Sequence, residues 1–178
     1  MRIIRGSQKG RRITLPKAFN SRPTTDFAKE ALFNILENSY YFNKTTVLDL
    51  FSGTGNISLE FLSRGCLSVT SVEISKKNCL HIEKQIEDFF PNLSNVISAD
   101  VYKFCKNSNL SYRIIFADPP FSDKNSGVLP ELVFNNESVL DSTVFILEHS
   151  AKNNFSESPF FKETRRYGNV NFTFFEKT

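Results

Sequence analysis

The stretch "VLDLFSGTGNISLEFLSRG" (residues 47–65) decides the fold. Val47–Phe51 is apolar except for Asp49, long enough for one strand and continuous enough for burial on both faces, as the strands of a parallel sheet are. It runs into Gly53-Thr54-Gly55 and then into a helical pattern over Asn56–Ser63, with Gly65 as its stop. Strand, glycine turn and helix in that order open a parallel α/β unit. Glycines at the carboxyl end of such a strand let the turn be tight and let a ligand approach the backbone. Where a dinucleotide fingerprint carries its third glycine the chain has Ser58, which disfavours a pyrophosphate site and with it a nicotinamide dehydrogenase.

Outward from this unit, strands alternate with helices. Further strands are expected at Ser68–Glu73, Asn95–Ala99, Tyr112–Ala117 and Thr143–Glu148, all buried on both faces. Helices are expected over Lys76–Phe89, Tyr102–Lys106 and near Val128–Phe134. Before the glycine turn, Ala28, Ala31, Leu32, Ile35 and Leu36 recur at helical spacing, with Thr24 or Thr25 as cap and Asp26 in the first turn. Gly168-Asn169 reads as a hairpin turn near the C-terminus. The fold expected is a doubly wound α/β sheet with an antiparallel C-terminal hairpin, in one globular unit over residues 21–178. Residues 1–20 precede it as a basic arm, in which Arg2–Arg5 and Arg11–Leu15 read as a β-hairpin ended by Pro16.

Composition narrows the function. The 178 residues are 40% hydrophobic and carry 19 phenylalanines without a tryptophan, which suits a Phe-rich core. No run approaches the roughly 18 apolar residues of a membrane span and no signal peptide is evident, so a cytoplasmic protein without membrane contact is expected. Cys66, Cys79 and Cys105 lie far apart, without a Cys-x-x-Cys pair, so buried reduced thiols are expected and no metal site. His81 and His149 are isolated and read as structural or surface residues. The net charge of +3 is uneven: residues 1–30 carry eight Lys/Arg against Asp26 and Glu30, and the remainder is acidic. A basic arm on an acidic body points to a polyanionic partner.

Three acids fall at or near strand ends. Glu73, 18 residues after Gly55, suits both ribose hydroxyls of a nucleoside cofactor; Asp100, in "ISAD", suits an adenine edge; Asp49 lies in the first strand. Such acids repel phosphates and favour a cofactor with a cationic centre and an α-ammonium, namely S-adenosylmethionine. The fourth strand ends in "DPPF" (residues 118–121). Neither proline has an N–H for a ladder, so the chain leaves the sheet stiffly, with one carboxylate and its carbonyls outward.

The ordered set "LDLFSGTG", "SVE", "SAD" and "DPPF" resembles a Rossmann-like class I methyltransferase that acts on exocyclic amines. With "RIIRGSQKGRRI", "RPTTDFAKEALFNIL" and "YGNVNFTFF", the resemblance extends over nearly the whole chain to the RsmD family of bacterial small-subunit (16S) ribosomal RNA guanine-N(2) methyltransferases. The "EHS" at 148–150 and the short C-terminus depart from that pattern. The resemblance implies a seven-stranded, mostly parallel sheet of order 3-2-1-4-5-7-6. It also implies S-adenosylmethionine as donor, S-adenosylhomocysteine as product and no metal, with a monomer acting on ribosomal RNA in an assembled or assembling particle. Expected cofactor contacts are Asp49, Phe51, Ser52, Gly53, Gly55, Glu73, Asp100 and Val101, with Thr24. Asp118, Pro119, Pro120 and Phe121 are the expected catalytic segment: Asp118 and the Pro119 carbonyl take the amine hydrogens and Phe121 stacks on the base. Arg2, Arg5, Lys9, Arg11, Arg12 and Arg22 are expected on phosphates. Arg22, Pro23 and Thr24 either help close the pocket or are a surface arginine and a helix cap. The rival activities are a DNA adenine or cytosine amino-methyltransferase, for which the chain has no room for a target-reading domain, and a protein glutamine methyltransferase, which needs no basic arm. A non-catalytic RNA-binding module would not need "SGTG", Glu73 and "DPPF" intact.

Overall fold

The structure is a computed structural model that describes residues 1–15, 25–93 and 95–177. Arg22, Pro23 and Thr24, and the expected hairpin end at Pro16, lie outside the described residues.

The first strand and the glycine turn form as the sequence pattern implies, with β1 at Thr46–Leu50 and α2 at Asn56–Ser63. Ahead of them α1 spans Asp26–Ser39 and is capped by Thr25, whose hydroxyl accepts from the Ala28 N–H. There follow β2 (Ser68–Glu73), α3 (Lys76–Phe89), β3 (Val96–Ser98), α4 (Val101–Asn107), β4 (Ile114–Ala117), α5 (Leu129–Phe134), β5 (Val144–Ser150), β6 (Phe161–Tyr167) and β7 (Val170–Phe175). They build one seven-stranded sheet of order β3-β2-β1-β4-β5-β7-β6, parallel except where β7 pairs with β5 and β6. Among the described residues no helix is long and apolar enough to cross a membrane.

Strand alternation sorts the core into two layers. Val47, Phe116, Ile146 and Phe172 face α1, α2 and α3, whereas Leu48, Ala117, Leu147 and Phe175 face α4 and α5. The phenylalanines fill the first layer edge to face: the Phe33 and Phe61 rings are 4.6 Å apart, and Phe42 lies against both. Cys66, Cys79 and Cys105 are free and buried, and burial pushes the Cys66 and Cys105 thiols up to about 12. His149 is also buried and structural, its ring bonded to the Thr173 hydroxyl and the Ser150 carbonyl.

Two expectations need correcting. β3 is a short edge strand with Ser98 exposed, not a strand buried on both faces. The N-terminal hairpin forms but is shorter than expected: around one antiparallel bridge, Arg2 to Arg12, the Ile3 N–H donates to the Arg11 carbonyl at 2.9 Å, the Gly10 N–H to the Ile3 carbonyl at 2.8 Å and the Ile13 N–H to the Met1 carbonyl at 3.2 Å. Its remaining backbone groups dock on α2. The Ile4 and Arg5 N–H groups donate to the Glu60 carboxylate at 2.8 and 3.1 Å, and the Ser7 N–H to the Ser63 carbonyl at 2.8 Å. The turn approaches α2 so closely that a Cβ on Gly6, at φ +86°, would lie 1.8 Å from the Ser63 carbonyl oxygen.

The side chains behind this docking are charged and buried. Lys29 and Glu60 have no exposed side-chain surface and pair at 3.3 Å. The Lys29 ammonium also donates to the Arg2 carbonyl at 2.7 Å and to Asn56 Oδ1 at 2.8 Å. Glu60 also pairs with Arg64 at 2.8 Å, and Arg64 lies over the Phe33 ring and reaches Glu37. None of these partners is local in sequence except the Glu60–Arg64 pair at the C-terminal end of α2.

Candidate active site

β1, β2, β4 and β5 run parallel, so their carboxyl ends meet at one edge of the sheet, where open α/β folds bind ligands. Alternation places Asp49 with Val47, Asp118 beyond Phe116 and Glu148 beyond Ile146, on the sheet face covered by α1, α2 and α3. Together with Glu73 these acids border one cavity of ≈430 Å³. Phe51, Ser52 and Gly53 of the turn line it on one side and Asp118, Pro119, Pro120 and Phe121 on the other. The remaining wall is formed by Thr54, Asn56, Ile57, Ile74, Asn78, Phe116, Ser122 and Glu148.

The turn is held from below. Asp49 is fully buried, and its carboxylate accepts from both the N–H and the hydroxyl of Ser58 in the first turn of α2. Burial raises the Asp49 carboxyl to about 7; the Ser58 bonds oppose that shift and the nearby Glu73 carboxylate adds to it. Ser58 thus supplies a hydrogen bond where a dinucleotide fingerprint has a glycine. Phe51 turns the chain with φ 58°, a conformation costly for a residue with a Cβ and found where a site over-determines the backbone. Its ring meets Tyr102 edge to face at 6.0 Å.

Glu73 bridges turn and strand: one oxygen accepts from the Gly53 N–H at 3.0 Å, the other from the Ser75 N–H at 2.8 Å and, at 3.5 Å, from the Asn78 amide. A carboxylate has about four acceptor sites, so Glu73 keeps capacity for a hydroxyl of a ribose. On the far side Asp118 leaves β4 with its N–H reaching the Leu50 carbonyl at 3.4 Å, beside the end of β1. The Pro120 carbonyl accepts from the Asp123 N–H at 2.8 Å, and Asp123 accepts from the Tyr102 hydroxyl at 2.7 Å, so the segment beyond the prolines is tied down. Phe121 is 67% exposed at the rim.

Three expected cofactor residues do not line the cavity. Gly55, at φ +75°, opens α2 and lets it pack on α3, where a Cβ would sit 3.1 Å from the Ile82 side chain. Asp100 caps α4, accepting from the Lys103 N–H at 2.9 Å, and Val101 is buried at the start of that helix. Conversely, sequence reasoning passed over Asn56 and Glu148. Glu148 was visible as an acid at a strand end, like Glu73 and Asp118; Asn56 carried no local signal.

Of the expected phosphate-binding residues, Arg2 pairs with Asp26 at 3.3 Å and Arg5 with Glu37 at 3.0 Å. The Arg11 guanidinium lies 3.9 Å above the Phe89 ring and donates to Gln8. Lys9 and Arg12 are exposed and carry no ion pair among the described residues. All five stand on the arm that packs on α2.

Residues 1–176 match the family model described as "Conserved hypothetical protein 95". The chain belongs to this RsmD family of methyltransferases. It is 40% identical over 121 residues to the ribosomal RNA small subunit methyltransferase D of Buchnera aphidicola subsp. Baizongia pistaciae, a match covering 68% of this chain and 61% of that relative. The chain thus spans less than two thirds of that relative's length. Among solved structures, the putative methyltransferase yhhF from Escherichia coli superposes with a TM-score of 0.84 at 25% identity, covering 99% of this chain and 97% of that one. A Salinibacter ruber RNA methyltransferase, crystallised with S-adenosyl-L-homocysteine, shares the fold with a TM-score of 0.68 at 14% identity, covering 87% of this chain and 93% of that one. The RsmD sheet order implied by the sequence resemblance is the one observed.

Proposed function

We propose that this RsmD-family chain transfers a methyl group from S-adenosylmethionine to the exocyclic N2 amine of a guanine in small-subunit ribosomal RNA, with the base presented by an assembling ribosomal particle. One observation carries the reading: the Gly53 turn and the Asp118-Pro119-Pro120-Phe121 segment face each other across a single cavity. The relatives' names support the RNA substrate, and the donor set supports the cofactor. Glu73 gives the turn side a negative character that suits a cationic sulfonium and opposes a pyrophosphate. Glu73 would hold the ribose hydroxyls, and Ile74, beside it on the wall, offers an apolar contact to a base.

The cofactor supplies an activated methyl group, whose bond to sulfur breaks as the bond to nitrogen forms. The chain's part is to make a poor nucleophile attack. The guanine amine lone pair is delocalised into the ring. When the Asp118 carboxylate and the Pro119 carbonyl each accept an amine hydrogen, nitrogen is drawn toward tetrahedral geometry and its lone pair turns away from the ring. The prolines fix these acceptors before the substrate arrives, and preorganised acceptors of this kind contribute most of the electrostatic part of catalysis. After transfer the nitrogen carries a positive charge, and its proton passes to Asp118 or to water. Because the amine lies inside any paired structure, the base enters the cavity unstacked, and Phe121 at the rim offers it a ring face.

The test is tritiated-methyl transfer to small subunits and to free ribosomal RNA from bacteria lacking this methylation. We expect label on guanine in RNA, lost at least about 100-fold in Asp118→Ala with S-adenosylhomocysteine affinity kept. Label on DNA or protein would overturn the substrate, and full activity in Asp118→Ala would overturn the mechanism.

A further inference from the structure

Asn56 is 5% exposed, lines the cavity and has an amide nitrogen with no hydrogen-bond partner among the described residues. Its orientation is fixed by chemistry. The Lys29 ammonium can only donate, so the amide end it meets at 2.8 Å is the oxygen, which leaves the NH₂ as the other end. A buried donor without a partner is costly, and few persist unless something binds them. Glu148 is 3% exposed on the same cavity. It follows Leu147, whose register partner is Ala117, so it stands beside Asp118 on the adjacent parallel strand. The cavity wall therefore holds a buried, unpartnered donor at Asn56, an acceptor at Glu148, and acceptors at Asp118 and the Pro119 carbonyl.

We propose that Asn56 and Glu148 read the target base, the Asn56 amide donating to guanine O6 and the Glu148 carboxylate accepting its N1–H, while Asp118 and Pro119 take the N2 amine. This rests on the function proposed above. Guanine is the nucleobase whose Watson–Crick edge reads acceptor, donor, donor in sequence. Adenine presents a donor and then an acceptor, cytosine one donor and two acceptors, and uracil a donor between two acceptors. An unprotonated ring nitrogen would face the Glu148 carboxylate with nothing to share, and such a mismatch of buried polar groups is what rejects a wrong base. A cofactor carboxylate on this wall would instead meet two acids of its own sign.

The experiment uses the full chain, its Asn56→Asp and Glu148→Gln variants, and small-subunit particles lacking the methylation. Asn56→Asp keeps an oxygen for Lys29 and replaces the donor with a second, acidic acceptor; Glu148→Gln is isosteric and is read alone if the first variant does not fold. We expect kcat/KM to fall roughly 10- to 100-fold in each, with thermal unfolding near that of the parent and S-adenosylhomocysteine affinity, by calorimetry, within about twofold. Wild-type kcat/KM in either folded variant, or cofactor affinity falling in step with activity, overturns the assignment. A parent chain that labels no guanine sinks the underlying function instead, so the two failures are told apart.

Discussion

Replacing Glu60 with leucine tests the buried charge network that fastens the arm. In the folded chain the Glu60 carboxylate meets Lys29 at 3.3 Å and Arg64 at 2.8 Å, and accepts the Ile4 and Arg5 N–H groups. Burial pulls the Lys29 ammonium below its ordinary value, and the Glu60 carboxylate is the largest influence holding it up. Removing that carboxylate leaves a fully buried ammonium without its counter-charge, which costs about 3–5 kcal/mol. For a chain of this size each kcal/mol lowers Tm by about 2–4 °C, so a fall of roughly 6–20 °C is expected. The exposed Lys162–Glu176 pair, at 2.8 Å with side chains 50% and 35% exposed, serves as control, and Lys162→Ala should cost no more than about 1 kcal/mol. The assay is calorimetric unfolding with a double-mutant cycle. Lys29→Met combined with Glu60→Leu should recover the part of the loss that comes from the orphaned ammonium, while Arg64 and the Ile4 and Arg5 N–H groups still lack their carboxylate. Glu60→Leu should also expose Arg2, Arg5 and Arg12 to trypsin, since the arm loses two of its backbone anchors. A Glu60→Leu cost near that of the control, or a double variant as unstable as the sum of the singles, would refute the reasoning.

On the arm, neutralising Lys9 and Arg12 should weaken RNA binding and reduce the slope of log K against log salt by roughly 0.7–0.9 for each phosphate left without its cation. Arg11→Gln should change that slope less, because its guanidinium is stacked on Phe89; filter binding over a salt series reads both, and an unchanged slope in Lys9/Arg12 variants removes the arm from the interface. At Asp49 the folded-state value of about 7 lies above the ordinary 3.8, so folding takes up a proton between those limits and this group favours the folded state less as pH rises through them. Above about 7 the contribution is gone. Asp49→Asn should therefore gain stability relative to the parent between about pH 4 and pH 8, on the order of 4 kcal/mol at full burial, and a pH-independent difference in urea unfolding would contradict the buried-acid reading.

The strands and helices were legible because buried parallel strands are near-continuous apolar runs and because glycines punctuate them. The limits of α2 and α3, at Asn56–Ser63 and Lys76–Phe89, are those the pattern implies. The segment at residues 118–121 that lines the cavity was legible too, since a carboxylate before two prolines at a strand end is visible in one dimension. What escaped is charge whose partner lies far along the chain. Lys29 carries no local signal of burial, yet the structure buries it against Glu60 beneath the arm. In the structure all eight residues of α2 are buried, so Glu60 cannot be solvated there and finds partners. Asp100 stands outside the cavity lining, in a local role as a helix cap. The expected helix began at Tyr102, whereas α4 begins at Val101 and makes Asp100 its cap.

These misses share a physical consequence. The Lys29 ammonium joins three things at once: the Arg2 carbonyl of the arm, the Glu60 carboxylate that holds the arm, and the Asn56 oxygen that turns the amide. The arm that carries the exposed basic residues and the cavity wall that carries Asn56 are therefore set by one buried cation. A perturbation of the arm backbone near Arg2 acts on the wall through Lys29, without any residue of the arm entering the cavity. Lys29→Met tests this link apart from stability, because methionine fills the volume but cannot hold the Asn56 oxygen. At a temperature where the variant is fully folded, it should lose methyl transfer in kcat while its salt slope for RNA stays that of the parent. A variant with full kcat would show that the amide keeps its orientation unaided.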